Sequence, residues 1–195
     1  MNTRVDFERT YWDNAALDPE VIKKYISTTD IDKCLSVIVP HLKKGNILEL
    51  GCGVGRLINN IKLDGCHLIG IDISRKLLDI AAKEGRAELL LCDGRTIPVE
   101  DKSIDSVYSM LVFQHLPGDA VEKYINEAGR ILKLGGVFRF QFIEGFEHDK
   151  LSHHHLREFI LNSLNHAGFD LGNINKGTLH PLWTWITAIK RERAV

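Results

Sequence analysis

Three carboxylates stand at or beside the ends of apolar runs: Glu49 inside "NILEL", Asp72 closing "HLIGID", and Asp93 after "ELLLC". Three glycines, Gly51, Gly53 and Gly55, occupy alternate positions just past the first run. Glycine reaches positive φ without strain and leaves no Cβ to block a ligand's approach to the backbone. A helical segment read at Arg56–Ile61 would then turn its N-terminal amides toward the same crevice.

Bare backbone, helix and acids together suit a nucleoside. A dinucleotide fingerprint, however, needs a third glycine five positions after the first, for close packing of helix on strand, and position 56 is arginine. Glu49 would also repel a pyrophosphate and attract an ammonium group. Asp72 falls where a carboxylate accepts from both ribose hydroxyls, and Asp93 where one can accept from the exocyclic amine of adenine, with the Gly94 amide beside it. S-adenosylmethionine fits that set: it has no phosphate, an amino acid tail and a cationic sulfonium. The alternative is a nucleotide- or nucleoside-binding regulatory module, of NAD type or catalytically silent.

These residues must be positioned by the elements around them. Strand-like runs lie at Asn46–Leu50, His67–Asp72, Ala87–Cys92, Ile104–Met110, Gly136–Ile143, Phe169–Asn173 and Trp183–Ile189. Helical spacing of apolar residues marks Arg56–Ile61, Ser74–Lys83, Gly118–Leu132 and His153–Ala167, with Ser74 as an N-cap. Such alternation builds a mainly parallel sheet covered by helices, with the strand-end acids meeting at one crevice. The segment Asp18–Leu42, ahead of the first strand, is expected to be helical and to pack over the sheet edge or the site's mouth.

The series "ILELGCGVGRL", "LIGIDIS" and "LLLCDGRTIPVEDKSIDSVYSMLVFQHLPGDAVEKYINEAGRILKLGGVFRFQF" resembles the class I S-adenosylmethionine-dependent methyltransferases, in particular the small-molecule, ubiquinone-biosynthesis-like group. The likeness spans about residues 45–142 and lies in the order of glycine turn, ribose acid, adenine acid and R-x-L-x-x-G-G corner. It implies a Rossmann-like α/β fold: a seven-stranded sheet of order 3-2-1-4-5-7-6, the last strand antiparallel, with helices on both faces. It also implies S-adenosylmethionine as cofactor and S-adenosylhomocysteine as product. By this likeness Glu49, Gly51, Cys52 and Gly53 line the methionine end, Asp72 and Ile73 the ribose, and Cys92, Asp93 and Gly94 the adenine. Ser109 and Met110 border the methyl group.

Methyl transfer from a sulfonium is an in-line displacement, so the protein chiefly holds a nucleophile about 3–3.5 Å from the methyl carbon and excludes water. Gln114 and His115 follow the fourth strand where relatives face the acceptor, and His115 is a candidate base or a loop-fixing residue. Relatives often carry glutamate in place of Gln114 and use it for metal, so no metal is expected. His148, Asp149 and the His153–His155 triplet lie where this fold carries a substrate lid, expected near 144–155. Successive helical positions splay by about 100°, so the triplet cannot converge on one ion and a substrate-facing lid, including His148 and His153, is the favoured reading. Tyr11 and Trp12 are candidates to close the pocket from an N-terminal helical cap over 1–44.

The remaining features set bounds. A length of 195 residues fits one domain over 1–195, with core 45–195. A net charge of -1 and the lack of a basic stripe disfavour nucleic acid, which puts a small-molecule acceptor first and leaves a protein substrate open. No apolar stretch approaches the roughly 20 residues of a membrane span, and Cys34, Cys52, Cys66 and Cys92 lie 14 to 26 residues apart without a CxxC pair. A cytoplasmic enzyme, monomer or homodimer, with reduced thiols is expected.

Overall fold

The computed structural model describes residues 4–27, 30–83, 85–145 and 152–192. Three N-terminal helices, α1 (Arg4–Ala15), α2 (Pro19–Ser27) and α3 (Ile31–Ile38), precede β1 (Asn46–Leu50). The chain continues through β2 (His67–Asp72), α4 (Arg75–Ala81), β3 (Glu88–Leu91), β4 (Ile104–Ser109), α5 (Gly118–Ile131) and β5 (Leu132–Glu144). It ends with β6 (His154–His155), α6 (Arg157–His166), β7 (Phe169–Lys176) and β8 (Trp183–Lys190). The sheet order is β3-β2-β1-β4-β5-β8-β7; β8 runs antiparallel to both neighbours, and β6 pairs the end of β5. With the two-residue β6 set aside, this is the sheet that the family resemblance implied.

Alternation along the strands sorts side chains between two apolar layers. Leu48 and Leu50 of β1 and Phe138, Phe140 and Phe142 of β5 face α5 and α6, which contribute Val121, Ile125, Ala128, Ile160 and Leu164. Phe113, Phe138 and Phe140 form a ring cluster there, with centroids 4.5–6.1 Å apart. The opposite layer joins Ile47, Tyr108 and Trp185 to Cys34 and Ile38 of α3, Ile58, and Leu78 of α4.

Three local expectations are corrected. Asp18–Leu42 is broken into α2, α3 and a 3-10 turn at Val39–His41, with Asp30 capping α3 by accepting from the Lys33 amide at 3.2 Å. The segment read as helix at Arg56–Ile61 is a run of turns ending in a 3-10 turn at Ile58–Asn60. The helix expected from His153 begins at Arg157, because His154 and His155 pair with Ile143 and Glu144 of β5.

Candidate active site

The glycine turn leaves β1 at the carboxyl end of the sheet. Gly51, Gly53 and Gly55 all have positive φ, at 74°, 54° and 77°. At Gly51 a Cβ would run into Val112, so this turn is both bare and closely backed. At Gly55 it would meet Asn59 and Ala81, which makes that glycine a packing requirement.

Asp72 holds the turn to β2. Its Oδ2 accepts from the Gly53 amide and its Oδ1 from the Ser74 amide, both at 2.9 Å. Burial raises its pKa, and the backbone donors at Ser74 and Gly53 oppose that rise. Ser74 caps α4 by accepting from the Leu77 amide and donates its own hydroxyl to Asp13 of α1 at 2.5 Å.

A cavity opens above these residues, lined by Gly51, Gly53, Asp72, Ile73 and Cys92 on the sheet side. Leu111, Val112, His115 and Leu116 after β4, with Tyr124 of α5, form a second wall, and Glu8 and Trp12 of α1 form a roof. A neighbouring lobe, sharing Glu8, Ile73, Leu116 and Tyr124, extends past Gly94 to Pro117 and Lys123. The first lobe has two carboxylates, Glu8 and Asp72, and among its described lining residues no lysine or arginine. Trp12 meets His115 edge to face, with centroids 5.6 Å apart.

Several expected site residues lie elsewhere. Glu49 is buried beneath the turn, because strand alternation turns it away from Leu50's side. Its Oε2 accepts from the Ile58 amide at 3.0 Å and from the Tyr108 hydroxyl at 2.9 Å, and burial pushes its pKa up to about 8. The Ile58 bond also spends inward an amide that a helix start would have offered to a ligand. Cys52 packs against Gly70 in the lower layer, and Met110 is buried in that layer too. Ser109 donates to the Leu50 carbonyl at 2.9 Å, tying β4 to β1 outside the lining.

Asp93 is exposed; its Oδ1 accepts from the amides of Arg95 and Thr96 at 2.8 and 2.7 Å, bonds that lower its pKa, and its neighbours Cys92, Gly94 and Arg95 reach the cavity walls while it does not. Tyr11 stacks against Phe7 on the outer side of α1. Gln114 lies beside His115, the two side chains 3.4 Å apart. The His153 amide donates to the Gln114 carbonyl at 2.6 Å, and His155 Nε2 lies 3.1 Å from the Phe113 carbonyl, so the triplet fastens the turn that carries His115. His148 and Asp149 fall outside the described residues, and among those described no group of three or more His, Cys, Asp or Glu could hold a metal ion.

Glu8, Leu111, Val112, Leu116 and Tyr124 were not among the expected residues. Glu8 carried a usable signal: it precedes Trp12 by one helical turn, so the two share a face.

Residues 48–140 match the family model described as a methyltransferase domain. An uncharacterized methyltransferase of Bacillus mycoides is 34% identical over 97 residues, which cover 49% of this chain and 46% of that protein. The chain thus spans about half the length of the curated relatives it matches. A putative methyltransferase of Haloferax volcanii, solved in complex with a methyltransferase activator, superposes with a TM-score of 0.75 at 18% identity, covering 93% of this chain and 98% of that one. Magnesium protoporphyrin IX methyltransferase of Synechocystis, solved with bound S-adenosylmethionine, has a TM-score of 0.73 at 15% identity, covering 96% and 97%. Residues 48–140 thus resemble a methyltransferase domain, and the solved structures share the fold of this chain.

Proposed function

We propose that the chain transfers a methyl group from S-adenosylmethionine to an oxygen, nitrogen or carbon atom of a small-molecule acceptor, in the cytoplasm, as a monomer or homodimer. The observation that carries this reading is the crevice itself: bare backbone at Gly51 and Gly53, carboxylates at Asp72 and Glu8, and no cation in the described lining of that lobe. A ligand with ribose hydroxyls and net positive groups meets complementary charge there; a pyrophosphate meets two acids. Arg56 in place of the third glycine points the same way.

In this reading Asp72 takes the ribose hydroxyls on lone pairs that its backbone donors leave free. Ile73, Cys92 and Gly94 border the nucleoside. Glu49 supports the turn from below through Ile58 and Tyr108, so the turn's backbone, rather than that carboxylate, meets the methionine end. S-adenosylmethionine supplies an electrophilic methyl group when bound. Trp12, Leu111, Val112 and His115 then exclude water and hold the acceptor's nucleophilic atom in line. The helices of 1–44 act as a cap on a core of 45–195 in a single domain. A net charge of -1 and the lack of a basic stripe in the sequence favour a small-molecule acceptor over a nucleic acid.

Titration calorimetry tests the cofactor. S-adenosylhomocysteine is expected to bind tightly and NAD not at all; tight NAD binding would return the chain to the regulatory-module reading. Incubating metabolite pools with labelled S-adenosylmethionine then identifies the acceptor by its gain of one methyl group.

A further inference from the structure

A chain of side-chain amides runs from the backbone of the crevice to His115. Leu111 has a φ of 62°, in the left-handed region that leucine rarely adopts, and its amide donates to Gln141 Oε1 at 3.0 Å. Gln141, fully buried on β5, donates from Nε2 to Gln114 Oε1 at 3.1 Å. Gln114 Nε2 then lies 3.4 Å from His115 Nε2.

The direction of this chain is fixed at one end. An amide side chain can be turned over, exchanging its oxygen for its NH2, but a backbone N–H is always a donor. Leu111 therefore requires the oxygen of Gln141, which leaves the Gln141 NH2 to face Gln114. Gln114 must answer with its oxygen, so its own NH2 faces the histidine. His115 Nε2 is left to accept, and the ring proton sits on Nδ1. An imidazolium would set a second N–H against the Gln114 NH2, and turning Gln114 over would only move that conflict to Gln141.

We propose that Gln141 is a positioning residue that acts through Gln114 to hold His115 as the neutral Nδ1–H tautomer. The lone pair a general base needs is then already engaged, and His115 orients the acceptor as a neutral ring instead of removing its proton. That consequence rests on the methyltransferase reading; the tautomer does not.

Nitrogen-15 NMR of the histidine-labelled full chain without cofactor at pH 8 tests the tautomer, with the His115 signals identified by their loss in His115→Asn. The expected spectrum has Nδ1 protonated and Nε2 bare. Gln141→Met removes the middle link without changing size much, and should return His115 to the Nε2–H form that histidine prefers in water. Gln114→Glu presents a carboxylate oxygen to the ring and should move a proton onto Nε2; it remains informative if Gln141→Met does not fold. A wild-type ring protonated at Nε2, or a folded Gln141→Met protein with an unchanged tautomer, overturns the proposal. Both readouts are independent of activity, so failure to methylate any acceptor would count against the proposed function alone.

Discussion

Asp72 both fastens the glycine turn and faces the cavity, so its replacement separates two effects. Asp72→Ala leaves the Gly53 and Ser74 amides without their acceptor and should weaken S-adenosylhomocysteine binding by about 1–3 kcal/mol, the cost of unpaired polar groups. Unchanged affinity in calorimetry would remove Asp72 from the cofactor site. Glu49 makes a different claim. Burial lifts its pKa from an ordinary 4.5 to about 8, so between those values the folded chain holds a proton that the unfolded chain has released. Stability contributed at this site falls as pH rises through that window and levels off above it, by at most about 1.4 kcal/mol per pH unit. Glu49→Gln keeps an oxygen for Ile58 and Tyr108 but does not titrate. Its melting temperature relative to wild type should rise from pH 5 to pH 8; parallel pH profiles would mean that Glu49 is ionised in the fold.

Among the elements, the turn and α1 govern access to the cavity. Gly51→Ala forces a Cβ toward Val112 at a φ of 74°, and both the clash and the strained backbone act against the fold. We expect a loss of more than about 1 kcal/mol in denaturant unfolding and a crevice wall displaced at Val112, so cofactor affinity should fall as well. Helix α1 meets the core partly through Asp13 on Ser74, Arg9 on the Asp93 carbonyl and the Trp12 contact with His115. Hydrogen exchange over residues 4–15 should slow on adding S-adenosylhomocysteine by a larger factor than in β1 or β2; equal slowing would mean that α1 does not act as a roof. The sequence showed a cap and the aromatic pair but not which aromatic faces inward. Trp12 turns in and Tyr11 out because neighbouring helical positions diverge by about 100°. It also read the histidine triplet as helical, since pairing with the end of β5 depends on residues remote from the triplet itself.

Across the whole molecule, the crevice joins α1, the sheet and α5, which are distant in sequence. A ligand bound only by the folded chain stabilises it by mass action: S-adenosylhomocysteine at a hundred times its dissociation constant should add about 2.7 kcal/mol and raise the melting temperature, while NAD at equal concentration should not. The sheet order came only through the family resemblance, whereas the sequence by itself determined the alternation of strands and helices, the glycine turn and the acid closing β2. Each of these is written in a local pattern: apolar runs, glycine spacing, strand-end carboxylates. Only the tertiary structure decided where each acid goes. Glu49 and Leu50 are adjacent, yet the two-residue period of a strand sends one beneath the turn and the other to the cavity wall. Glu8 shares a helical face with Trp12, a local feature, but that this face meets the cavity follows only from α1 folding across the carboxyl ends of the strands.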